Sequence, residues 1–285
     1  MMINKKRNKL LSIAFLLSGS WIMVDKPVDT LPVIEACQSE NIAFEAGEEI
    51  VYKLYYNWNF VWLAAGEVVF RVRDKGSTYH ISAHGRTYKS YEWFFKVRDK
   101  YDTYIDKETL LPLVSIRDIQ EGSYSLYDRV SFDHDAGKAV SLRGKTKETA
   151  REKVYDIDPC MHDLLSIVYF CRNIPFDSIP SNYRIPIKIF MDKEVWPLSV
   201  HYQGKEAEKK VKGQGKFQTI RFNPDVVAGD YFNEGTKMDI WVSDDANRIP
   251  LIIESPVSVG SVKAILKSYS GLRYDMTART GNDDE

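Results

Sequence analysis

The sequence predicts a mainly β protein of curved antiparallel sheets, or an incomplete barrel, with one central helix. Three observations lead to this prediction. Aromatic residues make up 13% of the 285-residue chain, which suits strands because flat rings pack well on a pleated surface. Short apolar–polar alternations recur between residues 44 and 274, separated by turn-forming residues. The segment 159–172 has a helical pattern instead.

The longest alternation is IVYKLYYNWNFVW, residues 50–62. Every second residue is apolar and most are aromatic: Tyr52, Leu54, Tyr56, Trp58, Phe60 and Trp62. We predict one strand of about 43 Å with these side chains on one face. So long a strand generally bends, here around Trp58, and bent strands build a concave sheet. The triplet Ala64–Ala65–Gly66 is expected to form the turn into the next strand.

The predicted helix has Asp158 as its N-cap and Pro159 as its first residue. Cys160 and Cys171 would then share a face but lie roughly 16 Å apart along the axis. A disulfide tolerates only about 7 Å between Cα atoms, so these two cannot pair within the helix. We expect buried free thiols.

An internal repeat relates residues 102–116 to residues 239–253. Each copy contains an aromatic-bearing strand, an acidic turn and a second strand entered through Pro112 or Pro250. The repeat predicts two similar β modules, about 44–142 and 182–274, joined by the helix. Residues 25–43 are expected to form a linker or extended arm, and the polar tail 275–285 is expected to be disordered.

Residues 1–24 have the layout of a signal peptide, because four basic residues precede an apolar stretch at 10–24. That stretch spans about 22 Å as a helix, less than the roughly 30 Å of a bilayer core. Retention as an anchor stays an alternative. We therefore expect an exported protein of the periplasm or the outer-membrane periphery. Without this leader the chain is acidic, which argues against binding nucleic acid.

No catalytic residue, metal site or cofactor is predicted. The sequence lacks HExxH, CxxC and Gly-x-Ser-x-Gly motifs, and His80 and His84 would lie about 13 Å apart on a strand, too far to share one metal ion. Cys160 and His162 are two positions apart and would point in different directions on a helix. A non-enzymatic protein is therefore expected.

The aromatic face of residues 50–62 has three readings: core, the lining of a ligand cavity, or a membrane-facing surface. Charged residues on neighbouring strands disfavour the last. Aromatic concavities suit acyl chains and other apolar ligands. The candidate ligand-binding residues are Tyr52, Tyr56, Trp58, Phe60 and Trp62.

Residues 46–72 and 213–266 resemble the two ends of the bacterial family catalogued as domain of unknown function 3108. This resemblance implies an exported, mostly β protein and provides no catalytic or cofactor residues. The strand–turn–strand repeat resembles, more distantly, envelope proteins related to lipoprotein carriers, in which a curved incomplete barrel holds acyl chains in its concave face.

These observations predict an exported envelope protein that binds a lipid or another apolar small molecule in a concave β face. The first alternative is an assembly or scaffold protein that contacts other envelope proteins through edge strands. The second is a hydrolase, which would require a cleft uniting His162 with an acid and a nucleophile.

Overall fold

The computed structural model describes residue 37 and residues 40–58, 61–93, 95–226, 236–257 and 260–282, with the side chain of Trp58 outside the description. The predicted leader, residues 1–24, lies outside the described residues. Within them the chain forms fifteen strands and one α-helix. In chain order these are β1 Glu49–Trp58, β2 Val61–Lys75, β3 Thr78–Thr87, β4 Arg98–Asp106, β5 Pro112–Glu121, β6 Tyr124–Asp133, β7 Lys138–Gly144, β8 Arg151–Asp156, α1 Leu164–Cys171, β9 Arg184–Met191, β10 Glu194–Val211, β11 Gly215–Pro224, β12 Asp239–Ser243, β13 Pro250–Pro256, β14 Ser261–Ser270 and β15 Arg279–Gly281.

One large antiparallel sheet contains all these strands, so the mainly β, antiparallel prediction is confirmed. The strand order is β8-β7-β6-β5-β4-β3-β2-β1-β14-β13-β12-β11-β10-β9, and β15 pairs with β11. The sheet is curved and does not close, because β8 and β9 are its two ends. The two predicted modules are therefore neighbouring halves of a single sheet that meet where β1 pairs with β14.

Helix α1 occupies the concave side of the sheet and packs against β3, β4 and β9. Ile167 and Phe170 join the core formed on β9 to β12. Leu165 and Tyr169 join a second core cluster, which includes Val72 of β2 and other residues of the first half. The helix thus fills the concavity from the middle and connects the two halves.

The prediction of one strand over residues 50–62 is wrong. β1 ends at Trp58 and β2 begins at Val61, and these two residues pair across an antiparallel hairpin. Asn57 pairs with Trp62, and paired residues share a face of the sheet. Trp62 therefore lies on the face opposite to Tyr52. The alternation continued through the reversal because residues 59–60 contain no Gly to signal a turn.

The triplet at 64–66 is a β-bulge inside β2 rather than the predicted turn. Leu54 pairs with Gly66 and Tyr55 with Ala64, which leaves Ala65 as the extra residue. The glycine is needed for packing, because a Cβ at Gly66 would lie 2.3 Å from the carbonyl oxygen of Arg86. The glycine from which the sequence predicts a turn is therefore required by the close approach of β2 and β3.

The helix begins later than predicted, at Leu164, with Asp163 as its N-cap. The Asp163 carboxylate accepts hydrogen bonds from the backbone N–H groups of Leu165 and Ser166, and the Ser166 hydroxyl accepts from the Asp163 N–H, which completes a capping box. Asp158 and Pro159 precede the helix. The helix starts later because the residues before it bond to the sheet: the Ile157 N–H donates to the Gly137 carbonyl before β7, and His162 pairs with Ile189 of β9.

Cys160 is not a free thiol. It forms a disulfide with Cys37, with 4.4 Å between the Cα atoms. Because the helix starts after Cys160, the helical-geometry argument does not apply to this residue. Cys171 remains free, and burial raises the pKa of its thiol to about 12.

The internal repeat corresponds to two equivalent hairpins, β4–β5 and β12–β13. Each turn contains a residue with positive φ, Leu110 at 59° or Arg248 at 48°, two positions before the predicted proline. An aspartate caps each turn through its side chain, Asp106 in the first copy and Asp245 in the second. The sequence repeat therefore reflects a repeated turn geometry.

The described residues of the predicted linker, 25–43, and of the predicted disordered tail, 275–285, include buried and strand-forming residues. Ala43 and Phe44 are fully buried, within and just after the predicted arm. Where the sequence predicts a disordered tail at 275–285, Ala278 is buried and Arg279–Gly281 forms β15 beside β11.

Candidate functional site

An apolar groove lies between the inner face of β1 to β4 and one side of α1. Its volume is about 410 Å³, within the range of small-molecule sites. The sheet contributes Leu54, Val68, Phe70, Ala83 and Tyr101, and the helix contributes Leu164, Leu165 and Val168. Thr87, Val97 and Asp99 line it where β3 ends and β4 begins. We refer to this site as the groove.

The N-terminal end of α1 is held above the groove by a buried hydrogen bond. The Thr103 hydroxyl of β4 donates to the Asp163 carboxylate at 2.7 Å. Burial raises the pKa of Asp163, while this bond and the capping N–H groups favour the charged form. One side chain therefore caps the helix and attaches it to the sheet.

The C-terminal end of α1 is held by a buried ion pair. Arg172 donates two hydrogen bonds of 2.7 Å to the carboxylate of Glu48, which lies just before β1. The same guanidinium donates to the backbone carbonyls of Ala43 and Asn247. The Asn173 side-chain oxygen accepts from the Ala43 N–H at 3.1 Å. These bonds fix the helix relative to both halves of the sheet.

Asp99 places an ionisable group in the groove. Burial and the neighbouring Glu121 carboxyl raise the pKa of Asp99 to about 7, and a hydrogen bond from the Gln120 backbone N–H opposes this rise. Burial also raises the pKa of Tyr101 to about 12, so its hydroxyl stays neutral at physiological pH. The groove lining is thus mostly apolar, with Asp99 as its acidic residue and Arg86 as its basic one.

Gly85 keeps part of the groove open. It lines the groove near the end of β3, between Val68 of β2 and Asp99 of β4. A Cβ added at Gly85 would meet no atom within 4 Å. The missing side chain therefore leaves space that a ligand can occupy.

The predicted ligand-binding residues do not form one surface. Tyr52 is only 3% exposed and its hydroxyl donates to the Pro250 carbonyl at 2.8 Å, so it belongs to the core. Tyr56 is half-buried farther along β1. Trp62 lies on the opposite face, where the Lys263 ammonium sits 4.6 Å from its ring centre. Phe60 and the side chain of Trp58 lie outside the described residues.

The groove uses residues that sequence reasoning did not select, including Phe70, Gly85, Val168 and Asp99. Two signals were present. A glycine within the alternating segment 78–87 marks a close approach or an open space. Leu164 and Val168 are four positions apart and share a helix face. Neither signal indicates that the helix face opposes that strand.

The polar cluster at the start of α1 resembles a catalytic constellation only in composition. His162 Nδ1 lies 3.1 Å from the Ser166 hydroxyl, next to Asp163. His162 and Ser166 are both 0% exposed, so this cluster offers no surface to a substrate. Its hydrogen bonds belong to the helix cap described above.

Within the described ranges, no group of three or more His, Cys, Asp or Glu side chains could hold a metal ion. Across the same part of the chain, no helix has the length and apolar character needed to cross a bilayer.

The fold and the groove define a class: a curved antiparallel β-sheet protein with a central helix and a preformed apolar site. The chain belongs to the protein family of unknown function DUF3108, whose model matches residues 51–267. The family resemblance noted in the sequence is thereby confirmed. No curated protein matches the chain.

The solved structures that are similar to this chain include the following two. The first is a β-barrel-like protein of domain of unknown function DUF1849 from Brucella abortus, with 13% identity and a TM-score of 0.54, covering 82% of this chain and 100% of that one. The second is a Bacteroides fragilis protein described as exported, with a YmcC-like fold, 8% identity and a TM-score of 0.33, covering 81% of this chain and 99% of that one. The first similarity supports the fold alone.

Proposed function

We propose that this protein is a non-catalytic, exported envelope protein that binds the apolar chain of a lipid or a similar small molecule in the groove. The observation that carries the proposal is the open groove of about 410 Å³ between α1 and the inner face of β1 to β4. Apolar side chains from both elements face this space. An acyl chain would bury apolar surface there at about 25 cal/mol per Å².

Export is part of the same proposal. The Cys37–Cys160 disulfide supports an oxidising compartment such as the periplasm. The basic and apolar leader sequence at 1–24 supports the same destination. The periplasm and the outer-membrane periphery are also where a carrier or sensor of lipids would meet its ligand.

The scaffold alternative receives less support. In the strand order, β8 is one end of the sheet and would be available for strand addition. It has only six residues, and four of them are charged: Arg151, Glu152, Lys153 and Asp156. Short charged edges are a common means of preventing strand addition.

The groove is tested with Gly85→Leu, which places a side chain in the open space at a position where the added Cβ meets no atom within 4 Å. The matched control is Arg73→Leu, which adds the same side chain at an exposed position of β2. The full-length protein is purified without detergent and titrated with a fluorescent fatty acid, and bound lipid is extracted for mass spectrometry.

We expect the wild type and Arg73→Leu to bind the probe and Gly85→Leu to bind at least about tenfold more weakly. Circular dichroism and thermal unfolding check that Gly85→Leu is folded. Equal binding by the two variants, or a wild type that binds no probe and carries no lipid, would refute the proposal.

A further inference from the structure

One end of the sheet carries an unusual number of exposed apolar side chains. The chain alternates direction along the sheet, so every second connection lies at the same end. The four neighbouring connections β5–β6, β3–β4, β1–β2 and β13–β14 all lie there. Each has exposed apolar residues in it or beside it: Tyr124, then Trp93 and Phe95, then Val61 and Trp62, then Val262. We call these six residues the apolar rim.

The spacing of the apolar rim is regular. Neighbouring connections among these four are two strands apart, which is about 10 Å at roughly 4.8 Å per strand. The whole rim therefore spans roughly 30 Å along the curve of the sheet. The connections at the opposite end of β2 to β4 carry fewer such residues: residues 75–77 are Lys-Gly-Ser, and the 107–111 turn directs Leu110 and Leu111 inward. Among the described residues there, Leu113 beside that turn is exposed, at 37%.

The exposed side chains are large. Trp93 is 83% exposed and Phe95 is 47% exposed. They belong to the β3–β4 connection, whose Val97 lines the groove. Exposed patches of this kind on a soluble protein generally mark an interaction surface. The mouth of the groove and the most exposed aromatic residues therefore lie on the same short segment.

The chemistry of the rim fits a lipid surface. Trp and Tyr favour the boundary between the headgroups and the acyl chains of a bilayer. Lys89 and Lys96 flank Trp93 and Phe95 and are exposed, while Glu92 in the same segment is paired with Arg98. Glu121 of β5 pairs with Val97 next to this segment, so the net positive charge is that of residues 89–96 themselves, and it complements anionic headgroups. The residues also lie at separate hairpin ends and do not form an exposed edge strand.

We infer that the apolar rim inserts shallowly into the surface of a bilayer containing anionic phospholipid and directs the mouth of the groove toward it. This inference rests on the proposed function, because it names the surface from which the groove would take its ligand. Trp93 and Phe95 are the principal contacts, and Lys89 and Lys96 add electrostatic attraction.

The test is flotation of the exported protein, purified from the periplasm without residues 1–24, with phosphatidylcholine vesicles, with and without phosphatidylglycerol. The rim variant is W93S/F95S. The matched control is V154S/Y274S, which removes two exposed apolar side chains of β8 and the C-terminal segment, at 54% and 41% exposure. Gly85→Leu is included to distinguish vesicle binding by the apolar rim from ligand binding in the groove.

We expect the wild type, the V154S/Y274S control and Gly85→Leu to float, more strongly with phosphatidylglycerol. W93S/F95S should partition about tenfold less, equivalent to about 1.4 kcal/mol, while it still binds a soluble fluorescent fatty acid. Trp emission should shift to the blue on vesicle addition for the wild type.

Equal flotation of W93S/F95S and the wild type would overturn the inference, as would a wild type that floats with neither vesicle. So would self-association abolished by W93S/F95S, which would assign the rim to a second copy. If Gly85→Leu floats and the wild type fails to bind the soluble fatty acid, the proposed groove fails and the rim stands.

Discussion

Arg172 and Glu48 form a bidentate ion pair in the interior, with both hydrogen bonds at 2.7 Å and side chains 4% and 1% exposed. The pair joins the C-terminal end of α1 to the segment that leads into β1. The guanidinium also faces the rings of Phe44 and Tyr169, at 5.5 and 5.1 Å from their centres. A single contact thus relates the helix, the start of the sheet and the aromatic core.

Removing one partner of this pair should be severely destabilising, because it leaves the other charge buried without compensation. We expect Arg172→Met and Glu48→Gln each to lower the free energy of unfolding by about 3–5 kcal/mol. The measurement is urea unfolding followed by circular dichroism. Asp156→Asn, which affects an exposed pair with Lys138, is the control. A loss no greater than that of the control would contradict the structural role.

Replacing both partners should cost less than the sum of the single changes, since no unpaired charge remains. The double variant Arg172→Met/Glu48→Gln completes a double-mutant cycle with the two single variants and isolates the interaction. Strict additivity would show that the two residues do not act as a pair.

Asp99 should make stability depend on pH. Its pKa is about 7 in the folded protein, against an ordinary value near 3.8, so the folded state binds the proton more tightly. The contribution of this group to stability is therefore complete below about pH 4 and falls as the pH rises to about 7. Asp99→Asn should remove this fall. Unfolding curves between pH 4 and 8 measure it.

The control for the pH effect is Asp135→Asn in the exposed β6–β7 turn. That variant should retain the wild-type pH profile. Binding of the fluorescent fatty acid should weaken above pH 7 in the wild type, because an ionised carboxylate disfavours an apolar ligand beside it. The Asp99→Asn variant should bind equally on both sides of pH 7; a parallel loss in both proteins would exclude Asp99 as the cause.

The Cys37–Cys160 disulfide should stabilise the fold by connecting residues 123 positions apart in sequence. We expect C37S/C160S to lower the free energy of unfolding by about 2–5 kcal/mol. Dithiothreitol should lower the Tm of the wild type to that of the variant and leave the variant unchanged. A wild type insensitive to reduction would contradict this prediction.

The β9–β10 turn carries backbone strain. Asp192 and Lys193 both have positive φ, at 54° and 73°, and the Asp192 carboxylate accepts hydrogen bonds from Arg117 and Arg143 across the concave face. Glycine adopts positive φ at little cost, so Lys193→Gly should raise the stability by about 1 kcal/mol. Thermal unfolding measures the change. Lys193→Ala is the control and should give no gain, and an equal gain from both variants would exclude relief of strain.

Strand content and approximate strand positions could be predicted because they depend on local alternation. The β6–β7 hairpin and the repeated turns at Pro112 and Pro250 were also accessible, since Asp and Pro act within a few residues of themselves. The hairpin after Trp58 could not be predicted, because residues 59–60 contain no glycine, whereas Gly66 lies inside β2, where it admits the neighbouring strand β3 and does not turn the chain. Whether a glycine turns the chain or admits a neighbouring strand depends on what lies beside it.

The candidate site could be predicted from the sequence only in outline. The alternation of residues 50–58 correctly indicated a β-strand, but its extension to residue 62 placed Tyr52 and Trp62 on one face where the hairpin separates them. Gly85, Asp99 and Val168 are far apart in sequence and carry no common pattern. They become one groove because α1 packs across β3 and β4.

The sequence by itself determined that this chain forms an antiparallel β protein with repeated hairpins and one helix, because side-chain period and turn chemistry are local properties. Only the tertiary structure decided which helix face opposes which strands, which cysteines meet, and where apolar surface is left uncovered. Those outcomes arise from contacts between residues tens to hundreds of positions apart, and no local pattern encodes the distance between them.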